Sequence, residues 1–398
     1  MKDPKDCSDK KYFGLDRNVF YAGLTSFFTD TSTKMLYSVM PLFLLSIGAS
    51  KTSISLIEGI AESTASLFKA LSGMWSDKIG RNKPFMIIGY GATAIITPLY
   101  AFARLPVHVL YLRFTERVGK GMRAAPRDSL ISASIKGNHT GKNFGFHKAM
   151  DNSGAIVGPL SAFLLLYFFP LNYTNIFLIA TIPAVLGVLT IIFMIKEAHP
   201  DKDRKVNKVS LKQFPGKFWF YLTIIFIFSL GNSTDALLLV KTSETGINPS
   251  YVPFIYMIFN TVSVLFAIPI GKLSDRKGRG IMIICGYLVY AAVYFLFGHF
   301  NSVSIFIMLF MFYGLYSALA DGSQKSLLSD IVSKDMKGTG FGIYHAIIGI
   351  TLLPASVIAG YLYDNVNSNA PFYFGGAMAF TAAVLMIIFT LKYRVRSD

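Results

Sequence analysis

Apolar and polar positions alternate along this chain on a long period. Apolar runs of about 20 residues are separated by short polar breaks, and each run is long enough to cross a hydrocarbon core as a helix. Twelve runs are predicted, at 18–47, 53–76, 84–104, 106–134, 142–169, 174–196, 217–242, 251–273, 281–299, 302–331, 339–364 and 371–392. The fourth and tenth are polar at one end, which predicts final turns that protrude into water. The class expected is an all-α polytopic membrane protein. Its parts are a cytoplasmic tail 1–17, a six-helix bundle 18–196, a linker 197–216, a second six-helix bundle 217–392 and a tail 393–398.

Two of the polar breaks are near copies. Gly73-Met-Trp-Ser-Asp77-Lys-Ile-Gly80-Arg81 returns as Gly271-Lys-Leu-Ser-Asp275-Arg-Lys-Gly278-Arg279, so that Asp, Gly and Arg recur at one constant offset. Asn143-Phe-Gly-Phe-His147-Lys-Ala149 likewise aligns with Gly340-Phe-Gly-Ile-Tyr344-His-Ala346, and Ser129-Leu-Ile with Ser326-Leu-Leu. A duplication that spans loops and helices predicts two related halves. Glycines permit a tight turn, and an aspartate there can take hydrogen bonds from a helix N-terminus or pair with an arginine, which makes a breakable latch.

The pattern G-x-x-x-D-x-x-G-R resembles the loop between the second and third helices of Major Facilitator Superfamily transporters. Its second copy resembles that family's loop between helices eight and nine. The stretch from Arg113-Phe-Thr-Glu-Arg117 to Pro126-Arg-Asp128 is similar to the family's helix-four motif, which is associated with proton coupling. Gly154-x-x-x-Gly158-Pro159 resembles the helix-five antiporter motif, although Leu160, Ser161 and Ala162 replace the glycines usual after the proline. The resemblance implies twelve helices in two pseudo-symmetric bundles and secondary transport by alternating access. It points to an efflux-type permease of a bacterial inner membrane, with the duplicated loops as gates.

Composition narrows the class. The chain is 53% hydrophobic and 15% charged, against roughly a quarter charged in soluble proteins. A net charge of +16 could suggest nucleic acid, but the basic residues are scattered over short loops. Lys78, Arg81, Lys83, Arg127, Lys136, Lys272, Arg276, Arg279 and Lys337 fall on one side, and little beyond Lys51, Arg104 and Lys241 on the other. That asymmetry is topogenic; it predicts both termini in the cytoplasm and no nucleic-acid partner. Cys7 and Cys285 support neither a disulfide framework nor a metal site. No phosphate-binding G-x-x-x-x-G-K-[ST] occurs, which argues against an ATP-driven pump. No nucleophile or metal constellation suggests an enzyme or a cofactor. The partners expected are the bilayer, a small-molecule substrate and protons as coupling ion, with the protein a monomer.

Ionisable groups within spans are costly and are the functional candidates. Asp30 and Lys34 share a face of helix one, where Thr29–Ser32 is expected to interrupt the helix. Glu58 and Glu62 share a stripe of helix two, Glu58 at the outer rim and Glu62 within. Carboxylates so close repel if both ionise, a condition that suits a proton carrier. Helix four carries Arg113, Glu116, Arg117 and Lys120, and helix five His147 and Asp151. Asn232-Ser-Thr-Asp235 is expected to interrupt helix seven, with Asp235 the counterpart of Asp30. Proton-coupled efflux is one reading. The alternative is proton-coupled uptake of a small organic anion by Lys34, Arg113, Arg117 and Lys120.

Overall fold

A computed structural model describes residues 11–12, 15–79, 81–134, 140–170, 172–197, 211–333 and 336–393. A two-residue antiparallel ribbon, β1 (Lys11–Tyr12) and β2 (Leu15–Asp16), precedes the first helix. Then come α1 (Arg17–Ser46), α2 (Lys51–Ile79), α3 (Lys83–Leu99), α4 (Pro106–Ser134), α5 (Thr140–Phe168) and α6 (Tyr173–Met194). After the 197–216 stretch follow α7 (Gly216–Gly231), α8 (Asp235–Glu244), α9 (Val252–Lys277), α10 (Arg279–His299), α11 (Val303–Ile331), α12 (Lys337–Asn365) and α13 (Ala370–Tyr393). α7 and α8 are the two pieces of one span, so thirteen helices make twelve crossings.

Among the described residues, nine spans are long and apolar enough to cross a membrane, counting Gly216–Glu244 as one. α1, α2 and α4 complete the twelve; their intramembrane charges lower their hydropathy, not their length. The chain is an all-α polytopic membrane protein with two pseudo-symmetric six-helix halves. Helix faces away from the core carry large apolar side chains open to the surroundings, among them Phe193 at 69%, Ile268 at 71% and Leu391 at 75% exposure. Such faces are stable only against lipid.

Local chemistry sets the breaks. Proline starts α3 and α9 in the first turn, where its missing N–H costs nothing. Gly278, at φ 97°, ends α9 and begins α10, a backbone angle that other residues adopt at a cost. The expected break in helix seven is present at 232–234, and Thr234 caps α8 by accepting from the Ala236 N–H. The break expected at Thr29–Ser32 is absent: α1 runs through it. There the Thr31 hydroxyl bonds the Phe27 carbonyl one turn back, so the polar side chain is satisfied within an intact helix.

Contacts divide the chain into two compact units. The first takes the described residues of Met1–Val39 and Leu67–Lys205; the second takes Met40–Ser66 and those of Val206–Asp398. This is a division by packing and falls inside both α1 and α2, whereas the expected six-span halves are a division by sequence repeat. The first unit has an apolar core of Val19, Met86, Tyr90, Leu130 and Ile191. The second is strongly aromatic: Phe228 stacks on Tyr287 at 4.1 Å and Tyr290 on Tyr294 at 4.0 Å between ring centres.

Candidate functional site

In the first unit α1 and α5 meet backbone to backbone. A Cβ on Gly154 would lie 2.6 Å from the Phe27 carbonyl oxygen and 3.0 Å from the Asp30 Cβ. One on Gly158 would lie 2.5 Å from the Thr31 carbonyl oxygen. The Gly154-x-x-x-Gly158 motif is thus what lets α1 come so close. The consequence is chemical: the carboxyl groups of Asp30 and Asp151 come within hydrogen-bonding reach of each other. Two ionised carboxylates have only acceptors, so a hydrogen bond between them requires one shared proton.

Around the pair stand groups that answer its charge. Lys148 donates to Asp151 Oδ2 at 3.0 Å from an exposed position. The Arg123 and Lys120 charges act on Asp30, and that of Arg127 acts on Asp151. Arg127 also bonds Asp128 at 3.0 Å and the Ser26 hydroxyl at 3.4 Å, while Ser26 meets His147 Nε2 at 2.8 Å. His147, four residues before Asp151, is therefore packed and hydrogen-bonded beside the pair. Arg123 is buried over the Tyr90 ring at 4.3 Å and donates to Thr93 at 2.7 Å. Gly89 and Gly119 make room for it, since a Cβ on either would meet the other's carbonyl at 2.5 or 2.8 Å.

The other α4 charges are spent within the protein. Arg113 is 1% and Glu116 2% exposed. They pair at 3.1 Å, and the Tyr100 hydroxyl donates to the same Glu116 oxygen at 2.8 Å. The Arg113 guanidinium also faces the Tyr37 ring at 5.6 Å, as does the Lys34 ammonium at the same distance. Arg117 is buried, and only Lys120 is exposed. The cation-rich half-cavity that the anion reading needs is reduced accordingly. Glu62 is half-buried on α2 in the second unit; Glu58, expected at an open rim, is buried at 1% exposure.

In the second unit Asp235 opens α8, where the helix N-terminus favours a negative charge. Tyr313 donates to it at 2.7 Å. Tyr290 donates to the Gly231 carbonyl at 3.1 Å, and Asn232 donates to the Tyr316 hydroxyl at 3.3 Å. The helix break is thus stitched into the tyrosine cluster. Asp30 sits mid-helix and Asp235 at a helix start, so the two symmetric candidates have different surroundings.

The second copy of the duplicated loop is a closed circuit. Arg279 pairs with Asp330 on α11, donates to the Ser326 carbonyl at 2.6 Å and lies 3.9 Å from Asp275. Gly271 has open space around it. In the first copy Gly80 lies outside the described residues, as do the surroundings of Gly73 and the side chain of Asp77; Arg81 is exposed. Sequence reasoning missed a partner here: Glu197 accepts from the backbone N–H groups of Asn82 at 2.9 Å and Lys83 at 3.0 Å, capping α3. Lys83 in return donates to the Ile192 and Ile195 carbonyls at the end of α6. A glutamate just past an apolar run was the available signal. Among the described residues no group of three or more His, Cys, Asp or Glu could hold a metal.

The family model for the Major Facilitator Superfamily matches residues 22–242 and 219–397. An uncharacterised MFS-type transporter of Methanocaldococcus jannaschii is 33% identical over 382 residues, covering 94% of this chain and 95% of that one. Multidrug resistance protein 1 of Bacillus subtilis is 28% identical over 146 residues, 37% of each chain. Among solved structures, a POT family transporter in complex with a thioalcohol-conjugated peptide superposes with a TM-score of 0.80 at 13% identity, covering 97% of this chain and 98% of that one.

Proposed function

This chain belongs to the Major Facilitator Superfamily, and we propose that it is a proton-coupled antiporter exporting a small organic solute by alternating access. Its family and fold are those of membrane transporters, not enzymes. The observation that carries the coupling is the approach of the Asp30 and Asp151 carboxyl groups to within hydrogen-bonding reach, where Gly154 and Gly158 bring α5 against α1. With one proton the pair holds a single negative charge; without it, two, which Arg127, Lys148, Arg123 and Lys120 are placed to offset. Proton loss therefore changes the charge on the α1–α5 contact by one unit, and a substrate whose binding disfavours the shared proton would exchange with it.

Export is favoured by the partial likeness to a protein named for multidrug resistance. The anion-uptake alternative is weakened because Arg113 is already matched by Glu116. We further infer a monomer in a cytoplasmic membrane with both termini inside, gated on that side by the two duplicated loops. Asp235 and Glu62 then serve as substrate or gating contacts of the second unit.

The test is proton release on ligand addition. Purified protein in weakly buffered detergent solution is titrated with a panel of lipophilic cations and organic anions while a pH dye is read. A ligand that binds should release protons from the native protein and none from Asp30→Asn or Asp151→Asn. Equal release from native protein and both variants would place the proton elsewhere.

A further inference from the structure

The first half of α2 packs against α12 within the second unit, along a seam unlike the aromatic packing around it. A Cβ on Gly360 would lie 2.7 Å from the Thr52 Cα, one on Gly59 2.6 Å from the Ser356 Cβ, and one on Gly349 2.8 Å from the Ser66 Cβ. Small residues therefore face each other at three levels. Three hydroxyls in the seam, Ser55, Ser63 and Ser356, are buried and have no hydrogen-bond partner among the described residues. A permanent core rarely leaves such groups unsatisfied, because each forfeits its bonds to water. A seam that opens to water recovers them.

The end of this seam at the start of α2 is shut by polar bonds. Asp364, at the last turn of α12, accepts from both the backbone N–H and the hydroxyl of Thr52, at 2.8 and 2.7 Å. Lys51 faces Glu244 at the end of α8 at 3.6 Å and lies over the Tyr363 ring at 5.9 Å. Tyr363 donates to the other Glu244 oxygen at 2.6 Å. α2 also carries its own cap: the Ser53 N–H donates to the Ser50 hydroxyl oxygen at 3.1 Å. Helix α2 thus keeps a local N-cap wherever it goes, and the second cap, from Asp364, exists only while α2 lies on α12.

We propose that Asp364 is a detachable N-cap for α2 and that, with Lys51, Glu244 and Tyr363, it forms a clasp holding the α2–α12 seam shut at the end opposite the Gly271–Arg279 loop. The inference rests on alternating access but not on the coupling ion. Breaking the clasp biases the seam toward its open state, and α2 remains a helix because Ser50 still caps it.

The experiment reads seam opening directly. In a Cys7→Ser, Cys285→Ser background, Ser356→Cys is labelled with a water-soluble maleimide in purified protein, with no substrate present. Adding Asp364→Ala should raise the labelling rate about threefold to thirtyfold, the range expected for a lost helix cap. Tyr363→Phe should raise it in the same direction. Ser50→Ala, which removes the cap common to both states, should lower thermal stability and leave the rate within twofold. Ala383→Cys, in the buried core of α13, reports general loosening. An unchanged rate at position 356 in Asp364→Ala overturns the clasp. So does an equal rise at position 383, because that result is global destabilisation. Should the proton pair fail its own test while this rate rises, the clasp stands without it.

Discussion

Substituting Gly154 by alanine asks whether helix proximity makes the proton site. The added Cβ would sit 2.6 Å from the Phe27 carbonyl oxygen, where ordinary contact begins at 3.4 Å. α1 must therefore retreat by about 0.8 Å, because the obstacle is backbone and cannot rotate away. A hydrogen bond between carboxyl and carboxylate is normally about 2.5–2.7 Å long, so the same retreat carries it beyond bonding range. A charge-assisted bond contributes about 1.5–3 kcal/mol, which is roughly tenfold to a hundredfold in the preference for the shared proton. Overpacking adds a stability loss of about 1–3 kcal/mol. Proton-driven accumulation and downhill counterflow should be compared in liposomes, with Gly145→Ala as control, since a Cβ at 145 meets nothing within 4 Å. Gly154→Ala should lose accumulation and keep counterflow. Native accumulation by a folded Gly154→Ala protein would refute the claim that this contact creates the site.

Other substitutions separate function from support. Asp30→Asn and Asp151→Asn should each abolish accumulation against a gradient while the protein still folds, as read by solute uptake and size-exclusion profile. Glu116→Gln should instead cost about 3–5 kcal/mol of stability, because it leaves the buried Arg113 charge without its partner; thermal unfolding checks it. Arg279→Gln breaks a bond to half-exposed Asp330 and should change stability by less than about 1 kcal/mol, yet slow turnover if the loop is a gate.

Much of the architecture could be read from residue order alone. Apolar run length located the spans, since a bilayer imposes one length on every crossing. The interruption at 232–234 was visible as four consecutive polar residues, but the same reading misjudged Thr29–Ser32. The difference is external: the latter lies under the α5 glycines, and Thr31 bonds back into its own helix. The approach of Asp30 to Asp151 was not legible, because it depends on which face of α1 meets α5. The Gly154 and Gly158 spacing marked that contact without naming its partner helix. Glu116 illustrates the opposite limit: a charge within a span suggests function, and only Arg113 and Tyr100 beside it reveal a structural load. Nor could the sequence tell that Thr52 reaches Asp364, since no local pattern encodes a cap supplied by a distant helix.

The most direct test of the account is proton movement in liposomes containing the purified protein, followed with an internal pH dye while substrates from a panel of organic anions and lipophilic cations are applied. Protons are expected to move opposite to the transported solute, with no movement in Asp30→Asn or Asp151→Asn. Solute and protons travelling in the same direction would contradict export by antiport. Transport with no proton movement at all would contradict the coupling assigned to the Asp30–Asp151 pair.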